Sequence, residues 1–496
     1  MKRYIFFILF TLASADAFHA FAVDYVFDYN DRCTEAYKHY AALRLDEGTS
    51  MIKQELSANP GNLTAVFLSD YEDFFTLLLN GDKEVFEQRR DNLDKRIALI
   101  EKGNKASPWL LATKAGVYMH WAMISLRLGD TYKGAVLFRK AYMIAKENQN
   151  KFPSFPQNKM FVGMGETVVG TLPDEYKWIA SLFGMKGNVN KGLAKLTSFI
   201  NSTAADELLR AEAVLVHCYL KFYLQSRQEE VWKFLNSSQF SVQNNALNAF
   251  VKANIALNYR KAADALKTLQ AVQATKAYAQ FPAFDYEMGN ALLLQLDEKA
   301  PVYFLRFLNR DKGNLFVKDA YMQMAQSYYL QGNMQKATYY RQQIKKQGTT
   351  TTDSDKQANR FASSNAWVAV PVLKARYLID GGYYDRAIEI LNKGNPESLP
   401  TITDKLEYSF RMGRGYDELN QDAKAVQYYQ ATLNQGRNRK EHFAARAALQ
   451  MGLMYERAGK NAEAIKMFKD CLSMRNHDFQ SNIDQQAKAG LNRLNP

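Results

Sequence analysis

Toward its C-terminus this sequence repeats one set of offsets. Gly452, Tyr455, Gly459, Ala464, Phe468 and Cys471 are matched, spacing for spacing, by Gly413, Tyr416, Asn420, Ala425, Tyr429 and Thr432. Shorter versions stand at Ala375, Leu378, Gly382, Ala387 and Leu391, and at Ala325, Tyr328, Gly332 and Ala337. The marker alanines at 387, 425 and 464 are 38 and 39 residues apart; from 337 to 387 the step is 50. A single compact core gives no reason for such a period. Units that stack on one another do.

The frame also says what each unit is. Gly or Asn can take the left-handed conformation that ends a helix, so it marks the turn between two helices. Small residues on either side let those helices approach, and the aromatics fill the space around the contact. One such pair leaves an apolar face bare, so pairs must stack. The spacing Gly452-x2-Tyr455-x3-Gly459-x4-Ala464-x3-Phe468 resembles the tetratricopeptide repeat, and Gly413 to Tyr429 is similar. Two departures stand out. Ser409 and Ala448 replace the early Trp, and the closing Pro is missing. The steps also exceed the roughly 34 residues of that repeat. The expected fold is all-α: a solenoid or superhelix of stacked antiparallel helix pairs.

Weaker copies extend the pattern toward the N-terminus. Gly129, Phe138 and Ala141 fit the second half of a unit, as do Gly187, Leu196 and Phe199. Gly48, Ile52 and Pro60 fit near the start, Asn80-Gly81-Asp82 reads as an interhelix turn, and Ala262-Ala263 and Ala300 as close-packing points. Degenerate repeats are expected over 23–150 and 175–314, clear ones over 315–480, and a capping helix over 481–496. Residues 151–174 hold Pro153, Pro156, Gly163, Gly165, Gly170 and Pro173 and read as a loop or domain junction. The polar run 347–359 reads as a loop that explains the wide step.

The first residues read as an export signal. Lys2 and Arg3 precede the apolar run Tyr4 to Ala15, which is too short for the ~20 residues that span a bilayer. Ala20-Phe21-Ala22 offers a small-x-small cleavage site, giving a signal peptide of residues 1–22. The reading implies a periplasmic or outer-membrane-associated protein if the cell is Gram-negative. Cys33 lies beyond any such site, which argues against an acylated N-terminal cysteine. With Cys218 and Cys471 it makes an odd, sparse set rather than a disulfide scaffold, so packing must supply the stability. Hydrophobic residues at 47% suffice for a core, while Gly 26 and Pro 11 are few for a turn-rich β fold. The charge of +13 is uneven. Residues 23–100 carry fifteen acids and nine bases, so the excess of base lies beyond them. In an exported chain that balance points away from nucleic acid and toward anionic groups on peptide, glycan or lipid, with peripheral membrane contact.

The sequence carries no strong catalytic signature. The six histidines, His19, His39, His120, His217, His442 and His477, show no metal-ligand spacing. Gly163-Met164-Gly165 with Gly170 fails the dinucleotide pattern. Ser50-Met51-Ile52-Lys53 lacks the companion motifs of Ser-x-x-Lys hydrolases. Asp70, Glu72 and Asp73 cluster, but Asp70 and Asp73 share one helix face and read as solvated. No cofactor and no enzyme activity are expected.

The resemblance implies a groove lined by the first helix of each pair, at offsets of −6, −3, +1 and +4 from the small residue. Carried onto this chain, the groove residues include Met322, Gln326 and Tyr329; Arg376; Phe410 and Arg414; and Arg446, Leu449 and Glu456. The apolar members would contact a partner and the arginines would meet carboxylate or phosphate. The expected function is an exported scaffold that holds a protein or peptide. The alternative is a glycan-binding protein of the outer membrane or periplasm.

Overall fold

The computed structural model describes residues 23–171, 184–202, 208–225, 227–364 and 366–494. The proposed signal, residues 1–22, lies outside the described residues. The rest is helical, and an isolated bridge between Val26 and Asn62 is the β-structure among the described residues. Helices pack as adjacent pairs: Val317–Leu330 with Met334–Lys346, Val370–Gly381 with Tyr384–Asn392, Ile402–Glu418 with Asp422–Gly436, and Phe443–Arg457 with Asn461–Ser473. This is an α-solenoid. One apolar cluster runs from Cys33 to Tyr377 and a second from Val372 to Ala487, with Leu296 and Val368 packed against both.

The turns are built alike. Gly332, Gly382, Asn420 and Gly459 have φ of 78°, 89°, 57° and 72°. In each case the next amide donates to a carbonyl five residues back: Asn333 to Tyr328, Tyr383 to Leu378, Gln421 to Tyr416 and Lys460 to Tyr455, at 2.7–2.9 Å. The same bond joins Lys261 to Ala256 at 2.8 Å and Asp297 to Leu292 at 2.9 Å, with Arg260 and Leu296 left-handed. Turns at 260, 296 and 332 are 36 residues apart, so the pattern continues where no glycine marks it.

Around the turns, the frame sets the packing. Ala337, Ala387, Ala425 and Ala464 are fully buried. So is Ala265, which the turn at Arg260 places in the same register. The expected Ala262 and Ala300 are buried, whereas Ala263 is exposed. A Cβ on Gly452 would meet the Phe468 ring at 2.5 Å, and one on Gly413 would meet Tyr429 at 2.6 Å. Each small residue therefore admits the ring of its own pair's second helix. Gly490, on the closing helix Gln480–Leu494, touches the same Phe468 ring.

Three expectations need correction. Residues 158–170 of the proposed loop form the helix Asn158–Gly170. Its glycines are contact points: a Cβ on Gly165 would lie 2.2 Å from Tyr142, and one on Gly163 would lie 2.8 Å from the Gly192 carbonyl. The polar run at 347–359 gives way at Thr352, which caps a helix Asp353–Ser363. Ala358 and Ala362 of that helix build a small separate core with Met322 and Ile344. Its Asp355 accepts from the amides of Phe316 and Asp319, which secures the start of the neighbouring helix. Finally, Asp70 and Asp73 are buried, not solvated. Arg96 pairs with both, at 3.0 and 2.7 Å, and His120 Nδ1 and Trp121 Nε1 each reach Asp70 at 2.9 Å. Chain-distant partners neutralise these acids, so no local pattern could have shown it. No helix among the described residues is long and apolar enough to cross a membrane.

Candidate partner-binding face

The turn register assigns small residues to the pairs Ala246–Asn258 with Ala262–Val272 and Ala283–Leu293 with Ala300–Arg310: Ala253 and Gly289, seven residues before each left-handed residue. The +1 positions are then Asn254, Asn290, Gln326, Arg376 and Arg414, one on each successive first helix. The step of one residue from a buried contact turns about 100° around the helix, which brings these side chains to a common face.

Polar side chains run along that face as a linked ladder. Tyr219 donates to Asn254 at 3.2 Å, and Asn254 donates to Glu287 at 2.7 Å. Tyr286 donates to Asp319 at 2.6 Å, and Tyr377 bonds to both Gln323 and Gln326. Arg376 grips Glu407 in a bidentate pair at 2.7 and 2.5 Å; Arg411 bonds Glu407 at 3.2 Å and Asp380 at 3.1 Å. Arg414 bonds Asp417 at 3.1 Å, Gln450 at 2.7 Å and Glu418. A cavity of about 250 Å³ opens on the ladder, lined by Asn254, Glu287, Asn290, Phe316, Gln323 and Tyr377 among others.

The two ends of the ladder differ in charge. Burial raises Glu287 to about 7 and Asp319 to about 6, so this end is weakly acidic and rich in amides. Glu407 is also buried, yet Arg376 and Arg411 hold it down at about 2. Beyond it, Arg446 is half-buried, and its Nε has no acceptor among the described residues. Burial lowers its pKa, with Arg411 and Arg414 adding to the effect. Burial, with Arg446 next, lowers the neighbouring His442 to about 3, so that imidazole is neutral. Along the ladder, Arg446 has no ion pair among the described residues, although the charge of Asp380 acts on it from farther off.

The tetratricopeptide repeat model matches residues 445–478, which span the last helix pair. That match falls on the frame whose turn, small residues and ring contact are described above. Residues 445–478 are a tetratricopeptide repeat. No curated protein matches the sequence. The solved structure of the APC/C hetero-tetramer Cut9–Hcn1 aligns over 92% of this chain and 89% of that chain, at 14% identity and a TM-score of 0.29, too loose a superposition to argue from. The repeats make the protein a helical scaffold of a kind used for protein interactions.

The expected groove residues divide by offset. Met322, Phe410 and Leu449, all at −3, are 5%, 4% and 0% exposed and belong to the core. A residue three before the small position shares its helix face, so it is carried into the same contact. These three are withdrawn from the groove. Gln326 is 5% exposed and held by Tyr377. Tyr329 is half-buried, stacked on Trp367 at 4.6 Å. Arg376 and Arg414 face the ladder but are spent in ion pairs. Glu456 pairs with Arg493 of the closing helix, both bonds 2.7 Å. Arg446 remains available. Asn254 and Asn290 escaped the sequence reading because Arg260 and Leu296, not glycines, mark their turns. Among the described residues no group of three or more His, Cys, Asp or Glu could hold a metal ion.

Proposed function

We propose that this protein is an exported scaffold that holds an extended segment of a partner protein along the first-helix face, without catalysis. The observation that supports the reading is the ladder, with one polar link on each repeat, ending at Arg446, which has no ion pair among the described residues. Asn254, Asn290 and Gln323 offer both donors and acceptors, the chemistry that pairs with a peptide backbone irrespective of its side chains. An acidic side chain or carboxylate of the partner would sit at Arg446, where a planar guanidinium takes two oxygens at once. Export rests on the charged start and short apolar run of residues 1–22.

A photo-crosslinking residue placed at Asn290 and another at Arg446, in the native envelope fraction, should trap the same partner. Asn254→Ala with Asn290→Ala should abolish capture, with some loss of melting temperature because Asn254 also holds the buried Glu287, and Arg446→Gln should weaken capture without such a loss. Capture that survives all three substitutions would refute the reading. Saturable retention of a soluble polysaccharide by this face would replace the peptide with a glycan.

A further inference from the structure

A second cavity, of about 450 Å³, lies away from the ladder, between the second helix Met334–Lys346 and the inserted helix Asp353–Ser363. Its charged lining is Arg341, Lys345 and Lys346; Thr338, Gln342 and Ser364 add polar groups, and no acid among the described residues lines it. Arg341 is 8% exposed. Its guanidinium lies over the Phe361 ring at 4.2 Å and the Trp367 ring at 4.7 Å. Nη2 donates to the Phe361 carbonyl at 2.8 Å and to the Ser364 carbonyl. Those bonds fix the fork but supply no negative charge. Burial alone shifts the Arg341 pKa, downward, with no acid acting against it.

A buried guanidinium without a carboxylate is costly, and proteins rarely keep one that has nothing to balance it. The carbonyl end of the helix that carries it offers roughly half a negative charge, against three formal positive ones. The two rings and two carbonyls steady Arg341 in place but leave the cavity positively charged, so an anion entering it would gain the attraction of all three cations. The volume falls in the ~300–1,000 Å³ range of small-molecule sites. We propose that this cavity binds a phosphate group, with Lys345 and Lys346 as charge partners, Arg341 presenting its remaining N–H groups, and Thr338 and Gln342 completing the shell. Three cations suit a phosphate dianion better than a single carboxylate. The insertion that widens the repeat spacing thus supplies one wall of a site. This inference does not depend on the first-helix face.

The test is calorimetric titration of the full chain with inorganic phosphate, alongside sedimentation with phosphatidylcholine vesicles that do or do not contain phosphatidic acid. Saturable phosphate binding is expected, weakened about tenfold or more, equivalent to roughly 1.4 kcal/mol, by Lys345→Gln with Lys346→Gln. These lysines are exposed, so the variant should keep its melting temperature. Lys460→Gln with Lys466→Gln removes the same charge from another exposed surface and should leave binding intact. Binding to phosphatidic acid vesicles alone, lost in the first variant and kept in the second, would assign the phosphate to a lipid headgroup. No saturable binding in either arm, equal binding of acetate, or equal losses in both double variants would overturn the proposal.

Discussion

Two glycines of the last repeat show how one residue type serves two physical ends. Gly459 has φ of 72° and open space where its Cβ would project. Gly459→Ala is therefore a purely conformational change and should cost roughly 1 kcal/mol. Gly452 sits inside a helix, where alanine would gain about 1 kcal/mol of helix propensity. Here its Cβ would meet the Phe468 ring at 2.5 Å, and Gly490 bounds that ring from another helix. With the ring held on both sides, overpacking of about 1–3 kcal/mol should win. Urea unfolding of both variants checks the pair. A Gly452→Ala variant more stable than the wild type would mean that Phe468 has room to move and that the small position is not a contact. The marker alanine gives a companion prediction: Ala464→Leu should also cost about 1–3 kcal/mol, read from the same unfolding curves.

At the scale of elements, the closing helix Gln480–Leu494 has a defined load. Ile483 and Ala487 are fully buried in the second core, Gly490 lies on Phe468, and Arg493 holds Glu456. Ending the chain after residue 479 should bare Phe468 and lower stability by at least about 2 kcal/mol, the burial value of a large apolar side chain. Self-association should appear in gel filtration, because the exposed face is one that other pairs stack upon. A truncated chain that stayed monomeric and equally stable would remove the helix from the array. The elements also show what the sequence could and could not disclose. Turns at Gly332, Gly382, Asn420 and Gly459 were legible because glycine and asparagine announce the left-handed position. The turns at Arg260 and Leu296 use the same hydrogen bond with residues that give no such signal, and Asn254 and Asn290 were hidden with them. Gly163 and Gly165 misled in the opposite direction, since glycine breaks a helix and also lets two helices touch. The register alone places Gln326, Arg376 and Arg414 at one offset, +1, on successive first helices. That Met322, Phe410 and Leu449 at −3 enter the core was not legible, because only packing reveals which neighbour a helix face meets.

Across the whole molecule, one buried carboxylate joins segments far apart in the chain. Glu212 accepts from Tyr71 and meets Tyr37 Oη at 3.5 Å and His120 Nε2 at 3.4 Å, across 141, 175 and 92 residues. Burial raises its pKa from 4.5 to about 8, and Asp70 adds to the rise. Glu287, raised to about 7 by burial, lies in the same apolar stack. The folded chain therefore keeps protons on these groups at pH values where the unfolded chain has released them. The stability these two acids contribute should fall as pH climbs through the window from 4.5 to about 8. Glu407, held at about 2, and His442, lowered to about 3, work in the other sense: the stability they confer is lost on acidification, from pH 4.5 downward for Glu407 and from pH 6.5 downward for His442. The alkaline loss can be isolated with Glu212→Gln, which keeps an acceptor for Tyr71 and has no proton to release. Melting temperatures measured between pH 6.5, where the His442 contribution is complete, and pH 8 should decline for the wild type and decline less for the variant. Parallel slopes would show that Glu212 ionises as freely in the fold as outside it. In that case the contacts that bind the N-terminal layers to the helix Arg210–Leu224 would not depend on its proton.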